Sequence, residues 1–425
     1  MQFNKNLFVF IVSFMKLSFL VGKTKIFFNS IAGVRALSTD IPMTSMLQSR
    51  ERRLRQALWG FFAGDALAMP THWYYGGYRQ IQRDYSEKGI TGYVQPVQRL
   101  PGSILNKSNL NGGGRGSYGK TSQGISIIGD VINHGKESYW DPSKEVHYHA
   151  TLKRGENTLE AQLARVLMRS IVEQNGSFDA NHFRDAYIRF MMTPGSHSDT
   201  YASTCHRMFF ANLVLNKLPP TDCPDNDHHN VDTIDGLVLP TIVALAMTAS
   251  STSIDKAIVQ RIAADAAAAT AAVTRKSDRL GRVSQIWSQL VVSSVLDEDD
   301  TEFQNDILQT AKALGIRRMP SLTSPDEMTA CYLDSSVPST LHMVAKYSLG
   351  SDVRLWDALL ANANVGGENV HRGSILGAVL AARTDSNHKD LEKIKDGLYH
   401  RQELEHEIDA FVNAVCSRSA KSSSR

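Results

Sequence analysis

The sequence predicts an all-α fold, a single compact multi-helix bundle, and three observations lead to it. From about residue 48 to residue 416, apolar residues recur at three- and four-residue spacing, the period of one face of a helix. Strand-like alternation is weak, and no repeat at a fixed period divides the chain. No linker cuts 48–416 in two, so this stretch is expected to be one domain around one core.

The first forty residues stand apart. No acidic residue precedes Asp40, while Lys5, Lys16, Lys23, Lys25 and Arg35 are basic among mainly apolar neighbours. That composition suits a mitochondrial presequence ending near Arg35-Ala36-Leu37-Ser38, with a secretory signal, a disordered segment, or a later start at Met43 or Met46 as alternatives. Lys16 interrupts the apolar run of residues 7–21, so a membrane span is not expected. The first helix of the domain carries Leu54, Leu58, Phe61 and Phe62 on one face and is stopped by Pro70. Continuing that face reaches Asp65, a carboxylate that needs hydrogen bonds or a cation if buried. It either ties down a neighbouring loop or belongs to a site.

From Ile81 to Asp130 the helical pattern fades into a long Gly-rich loop region that includes Gly112-Gly113-Gly114-Arg115-Gly116. Loops of this length in a compact domain are functional or disordered. The backbone N–H groups of Gly113, Gly114 and Gly116 are candidates to cradle a diphosphate. The next helix places Leu159, Leu163, Val166, Leu167 and Ile171 on one face, and Asn157 with Glu160 has capping-box spacing. Helices are then expected at roughly 182–192, 199–217, 237–250, 254–276, 283–296, 304–314, 326–333, 338–347, 352–362, 372–383 and 402–416. Residues 417–425, rich in Ser, Lys and Arg, read as a disordered tail. His147 and His149, flanking Tyr148, read as a solvated pair, and Asp225, Asp227, His228 and His229 as a polar loop.

Composition narrows the function. The chain has 425 residues, 21% charged, with a net charge of +3, and no basic cluster interleaved with aromatics, so nucleic acid is not an expected partner. The four cysteines are too scattered for a zinc knuckle or a disulfide framework. No Walker A motif or Gly-x-Ser-x-Gly elbow is present. Oligomeric state is not encoded in any pattern we find.

Three motifs carry a resemblance. Trp59-Gly60-Phe61-Phe62-Ala63-Gly64-Asp65-Ala66-Leu67-Ala68-Met69-Pro70 is similar to the opening helix of ADP-ribosylglycohydrolases, Gly-x-x-x-Gly-Asp-Ala-Leu-Gly-x-Pro. Gly366-Gly367-Glu368-Asn369, followed by Gly373-Ser374-Ile375-Leu376-Gly377-Ala378, resembles that family's Gly-Gly-Asp-Thr-Asp-Thr turn and the helix after it. Gly155-Glu156-Asn157-Thr158 stands where the family has Thr-Asp-Asp-Thr, and Asp235-Gly236 resembles its Asn-Gly turn before a Pro-containing helix. The fold also resembles jellyfish J-crystallins.

The resemblance implies an all-α bundle whose cleft holds Mg²⁺ and whose members cleave the glycosidic bond to ADP-ribose. By position, the metal ligands would be Glu156, Asn157, Thr158, Glu368 and Asn369, with Glu156 and Glu368 catalytic. Asp65, Gly113, Gly114, Gly116, Asp235, Gly366 and Gly367 would contact the ligand. The departures are specific, because two adjacent aspartates have become Glu156-Asn157, and Asp-Thr-Asp has become Glu368-Asn369-Val370. Two glutamates cannot neutralise two Mg²⁺ ions as four aspartates can. One Mg²⁺ or Mn²⁺, or none, is then expected, unless Asp65 or Asp199 contributes. The tripeptide Gly-Glu-Asn occurs in both motifs, which suggests a site rebuilt for other chemistry; alternatively the two asparagines only cap helices. The expected function is a hydrolase acting on ADP-ribose, an ADP-ribosylated substrate or a related nucleotide sugar. A catalytically inactive ADP-ribose-binding or crystallin-like protein is the alternative.

Overall fold

The computed structural model describes residues 43–423, apart from 117, 225–229 and 349–353. The expected presequence and the polar loop at Asp225–His229 lie outside the described residues. Two closely packed helices set the architecture, α1 (Met43–Ala68) and α12 (Val370–Arg383). Between them come α2 (Gly77–Asp84), α3 (Leu159–Glu173), α4 (Ala180–Met192), α5 (Thr204–Val214) and α6 (Val238–Ser250). Next are α7 (Lys256–Ala271), α8 (Asp278–Leu296), α9 (Asp300–Ala313), α10 (Leu333–Tyr347) and α11 (Leu355–Val365). The chain ends with α13 (Asp390–Lys395) and α14 (Arg401–Ser423). Only isolated β-bridges accompany them among the described residues, so the fold is all-α.

Every residue of α12 from Val370 to Ala382 is buried, as is nearly all of α6. A helix apolar on all sides belongs in the middle of a bundle. Small residues let α12 lie directly against α1. A Cβ built on Gly64 would stand 2.0 Å from the Gly373 carbonyl oxygen, and one on Gly60 would stand 2.2 Å from that of Gly377. The same is true in reverse, with 2.4 Å from Gly373 to the Gly64 carbonyl and 2.1 Å from Gly377 to that of Gly60. Backbone touches backbone at two successive turns of both helices.

The expected Gly-rich region is real and longer than the sequence suggests. From Tyr85 to Thr158 the chain makes only short helical turns. It is held by side chains that stand in for a backbone ladder. Asn111 accepts from the Ile127 N–H (2.9 Å) and donates to the Gly119 carbonyl (2.8 Å), while Arg207 donates to the Gly112 carbonyl (3.0 Å).

Three local expectations need correction. Residues 326–332 are not helical; their backbone is used elsewhere, Thr329 accepting from the Glu368 N–H (2.8 Å) and Tyr332 bridging to Thr233. Asn157 and Glu160 form no capping box on α3, and neither Asn157 nor Asn369 caps a helix with its side chain. The stretch from Ser417, read as a tail, continues as the last turns of α14 to Ser423.

The glycine crossing predicts opposite outcomes at two helical glycines. Gly64→Ala should cost about 3 kcal/mol or abolish folding, because no rotamer relieves a clash with backbone. Gly281→Ala in α8, with nothing within 4 Å of its built Cβ, should gain about 0.5–1 kcal/mol. Urea denaturation of both variants measures the contrast, and equal stabilities would show that α1 and α12 do not approach this closely.

Candidate functional site

The end of α1 and the start of α12 meet below the crossing. The two turns are zipped together, the Trp73 N–H donating to the Gly367 carbonyl (2.8 Å) and the Gly367 N–H to the Tyr74 carbonyl (3.3 Å). Gly366 and Gly367 have φ of +71° and +65°, and a Cβ on either would stand 2.4 Å from a backbone oxygen. Only glycine fits there. The pair therefore shapes the turn that aims Glu368, rather than lining the cavity itself.

Glu368 is 1% exposed and fully engaged. Its Oε2 accepts from Trp73 Nε1 (2.6 Å) and faces His72 Nε2 at 3.3 Å, and its Oε1 accepts from His371 Nδ1 (2.6 Å). The line of contacts continues from His72 Nδ1 to His149 Nε2 (2.7 Å) and from His149 Nδ1 to Asp199 Oδ1 (2.8 Å). Burial alone would raise the Glu368 carboxyl, but His371 and His72 outweigh it and hold the group well below the usual carboxylate range. Burial would likewise lower His371, and Glu368 reverses this, bringing the imidazole up to about 9. His72 is different. Burial dominates and pushes it down to about 4 despite Glu368. Burial opposes the Asp199 charge too, and His149 more than compensates, leaving its carboxyl lowered.

His147 and His149, expected at the surface, are both buried. His147 Nε2 donates to the Pro70 carbonyl (3.0 Å), its Nδ1 accepts from the His149 N–H (3.1 Å), and burial lowers it to about 3. It fixes the chain so that His149 can reach His72. Alternation implies an extended segment, but the chain turns here, the Ala150 N–H donating to the His147 carbonyl (3.1 Å) and the Leu152 N–H to that of His149 (3.0 Å), and the loop folds both side chains into the bundle. Sequence reasoning also passed over His72 and Trp73, which stand two and three residues after the Pro70 that ends the first motif. Their only signal is that adjacency.

The other glutamate motif does not line the cavity over Glu368 but is joined to the same line of contacts through Asp199. Glu156 Oε2 accepts from the Lys153 N–H (2.8 Å), and burial raises its carboxyl above the ordinary value. Asn157 Nδ2 donates to the Phe62 carbonyl (2.8 Å) and to Asp65 Oδ1 (2.9 Å). Asp65 also accepts from the Thr158 N–H (2.8 Å) and Thr158 Oγ1 (2.7 Å). Asp199 Oδ2 takes the next donor, the Leu159 N–H (2.8 Å). Two carboxylates from outside thus cap α3, where the positive end of the helix dipole favours them. Burial raises the Asp65 carboxyl, against those hydrogen bonds. Asp65 is a structural tie here. Asn369 similarly donates from Nδ2 to Thr71 Oγ1 (2.8 Å), pinning the end of α1.

A cavity of about 460 Å³ opens over Glu368 and His371. Trp73, Tyr75, Tyr201 and Tyr332 supply aromatic walls, and Arg115, Arg207, Gly114 and Asp235 also line it. Glu156, Asn157, Thr158, Asp65, Asn369, Gly113 and Gly116 are not among the lining residues. Asp235 is held by Thr233 Oγ1 and by the buried guanidinium of Arg275. The Gly113 N–H points at Met208 Sδ (2.9 Å). A larger cleft of about 1360 Å³ between α7 and α8 contains none of the expected site residues.

The donors do not suit Mg²⁺, which demands about six oxygens in octahedral array. Asn157 turns its amide nitrogen to Asp65, Glu156 is committed to a backbone N–H, and both Glu368 oxygens face nitrogen donors. One donor atom from each of His72, Glu368 and His371 does lie within 4.8 Å of the other two, a spacing able to hold some metal ion.

Hydrogen bonding, not charge, satisfies Asp65, so restoring a carboxylate at position 157 should be harmful. Asn157→Asp removes two buried donors and places two carboxylates side by side, and should cost about 3 kcal/mol. The loss should be larger at pH 8 than at pH 5, since only deprotonation makes both groups anions. Thermal denaturation at the two pH values reads this; an unchanged midpoint would contradict the contact.

The sequence profile of the ADP-ribosylglycohydrolase family matches residues 46–421. No curated protein matches the chain. Among solved structures, an "ADP-ribosylglycohydrolase-related protein complex" is 14% identical, the match covering 88% of this chain and 99% of that one at a TM-score of 0.49.

Proposed function

The chain belongs to the ADP-ribosylglycohydrolase family, and from that premise we propose that it hydrolyses a glycosidic bond to ADP-ribose with Glu368 and His371 as its working pair. The observation that carries this reading is the placement of that ion pair on the wall of a cavity that also holds four aromatic faces and two arginines. Its volume of about 460 Å³ is within the range of small-molecule sites. Trp73, Tyr75, Tyr201 and Tyr332 offer stacking faces to a nucleobase or ribose, and exposed Arg115 at the rim suits a diphosphate.

In this mechanism the Glu368 carboxylate stabilises the positive charge that develops at the anomeric carbon. The His371 imidazolium gives its proton to the leaving atom as the bond from that atom to the anomeric carbon breaks. Water adds to the carbon, and the proton it loses returns to His371, so the pair ends as it began. A depressed carboxyl and a raised imidazole suit these roles at neutral pH.

A second reading, a non-catalytic ADP-ribose binder, is favoured by one observation. Both Glu368 oxygens are already occupied by Trp73 and His371. Release of ADP-ribose from ADP-ribosylated protein, followed by chromatography, separates the two. Glu368→Gln should lower the rate by at least about 100-fold, while Glu156→Gln, outside the cavity lining, should stay within a few-fold. Wild-type turnover unaffected by Glu368→Gln would remove this residue from the mechanism, and no turnover in the wild type would favour the binder.

A further inference from the structure

We infer that the outer face of α7 pairs with the same face of a second copy of this chain, in an antiparallel crossing about a two-fold axis near Ala263. The inner face of α7 is spent on the bundle, where Val259, Ala263, Ala267 and Thr270 are buried. Its outer face is apolar where a solvated helix would be polar. Ile254, in the segment leading into the helix, is 75% exposed, Ile258 39% and Ile262 42%. Isoleucines repeated every four residues form a stripe rather than scattered single exposures, and such a stripe marks an interaction surface.

The asymmetry of the stripe along the helix identifies what covers it. Its N-terminal half carries bulk and positive charge, in Ile254, Ile258 and Arg261, and its C-terminal half carries Asp265, Ala269 and Ala272, all exposed. A two-fold axis at right angles to the helix lays each half on the opposite half of the second copy. With the axis near Ala263, Arg261 faces Asp265 of the second copy, and Asp265 faces the second copy's Arg261. Ile258 then falls on Ala269 of the second copy, Ile254 on its Ala272, and Ile262 lies beside its own mate at the axis. Large meets small and positive meets negative. Parallel pairing would set like charges together instead.

Within one chain these charges are unused. Arg261 and Asp265 form no ion pair among the described residues, and a basic residue four places before an acidic one is the weaker order on a helix. A partner of a single charge sign would leave either Arg261 or Asp265 facing its like, whereas a second copy satisfies both. Beside the stripe, Ala264, Ala268 and Ala272 border the cleft between α7 and α8, so a second helix can approach closely. None of these residues lines the cavity over Glu368, and the inference stands apart from the proposed hydrolysis.

Sedimentation velocity of the full chain is expected to show a reversible dimer of twice the 47.0 kDa chain mass. Arg261→Asp and Asp265→Arg each set like charges across the axis, and each should weaken dimerisation at least about 10-fold. An equimolar mixture of the two variants restores opposite charges at both places and should form a mixed dimer where neither variant dimerises alone. Ile262→Asp should also give monomer, and it provides an independent reading if a charge variant fails to fold. All three positions are exposed, and circular dichroism checks each fold. A wild type still monomeric at about 100 µM, a dimer indifferent to all three substitutions, or a mixture that does not re-form the dimer would overturn the inference.

Discussion

The backbone-to-backbone crossing of α1 and α12 at Gly60, Gly64, Gly373 and Gly377 is the constraint from which the site follows. With ordinary side chains there, the helices would stand several ångströms farther apart. The turns beyond them could not then exchange the hydrogen bonds that join Trp73 and Tyr74 to Gly367. Those bonds bring His72 and Trp73, at the end of α1, onto Glu368 and His371, at the start of α12. Arg372 locks the other side, its guanidinium donating to Asn362 Oδ1 (2.6 Å) and to the Glu327 carbonyl (3.0 Å). One close contact between small residues thus positions most of the polar groups in the centre of the bundle.

Those groups form two separate solutions to the same problem of burying carboxylates. Asp65 is satisfied by neutral donors and the N-terminus of α3, with Asn157 supplying an amide where the family resemblance has an acid. Glu368 is satisfied by imidazoles and an indole. The two Gly-Glu-Asn motifs are alike in sequence but divide the labour: the first anchors a helix start, and the second aims a carboxylate into the cavity. In both, the asparagine holds neighbouring backbone rather than capping its own helix.

Much of the fold was legible in the sequence. Periodicity located most helices, and the resemblance picked out the segments that carry Gly60, Gly64, Gly373 and Gly377, but that these two helices cross at their glycines is visible only in the structure. Periodicity could not tell which chain segments fold inward from a loop. His147 and His149 have the alternation of an exposed strand, yet the loop between Tyr85 and Thr158 carries them into the core. The 326–333 pattern has helical spacing, but Arg372 and Glu368 compete for its backbone and win. In the site, Glu368 could be picked out by resemblance, while its partners His72 and Trp73 lie just beyond the first motif, and His149 behind them comes from a loop with no motif. Glu156 matched by position but does not line the cavity, and the local turn at Lys153 takes one of its carboxylate oxygens.

Calorimetric titration of the protein with ADP-ribose tests most directly whether the cavity over Glu368 is a nucleotide-sugar site. One saturable site per chain, with free ribose failing to compete, is the result expected from its aromatic walls and basic rim. The absence of saturable heat at millimolar ADP-ribose would contradict the account and leave the family fold without the family ligand.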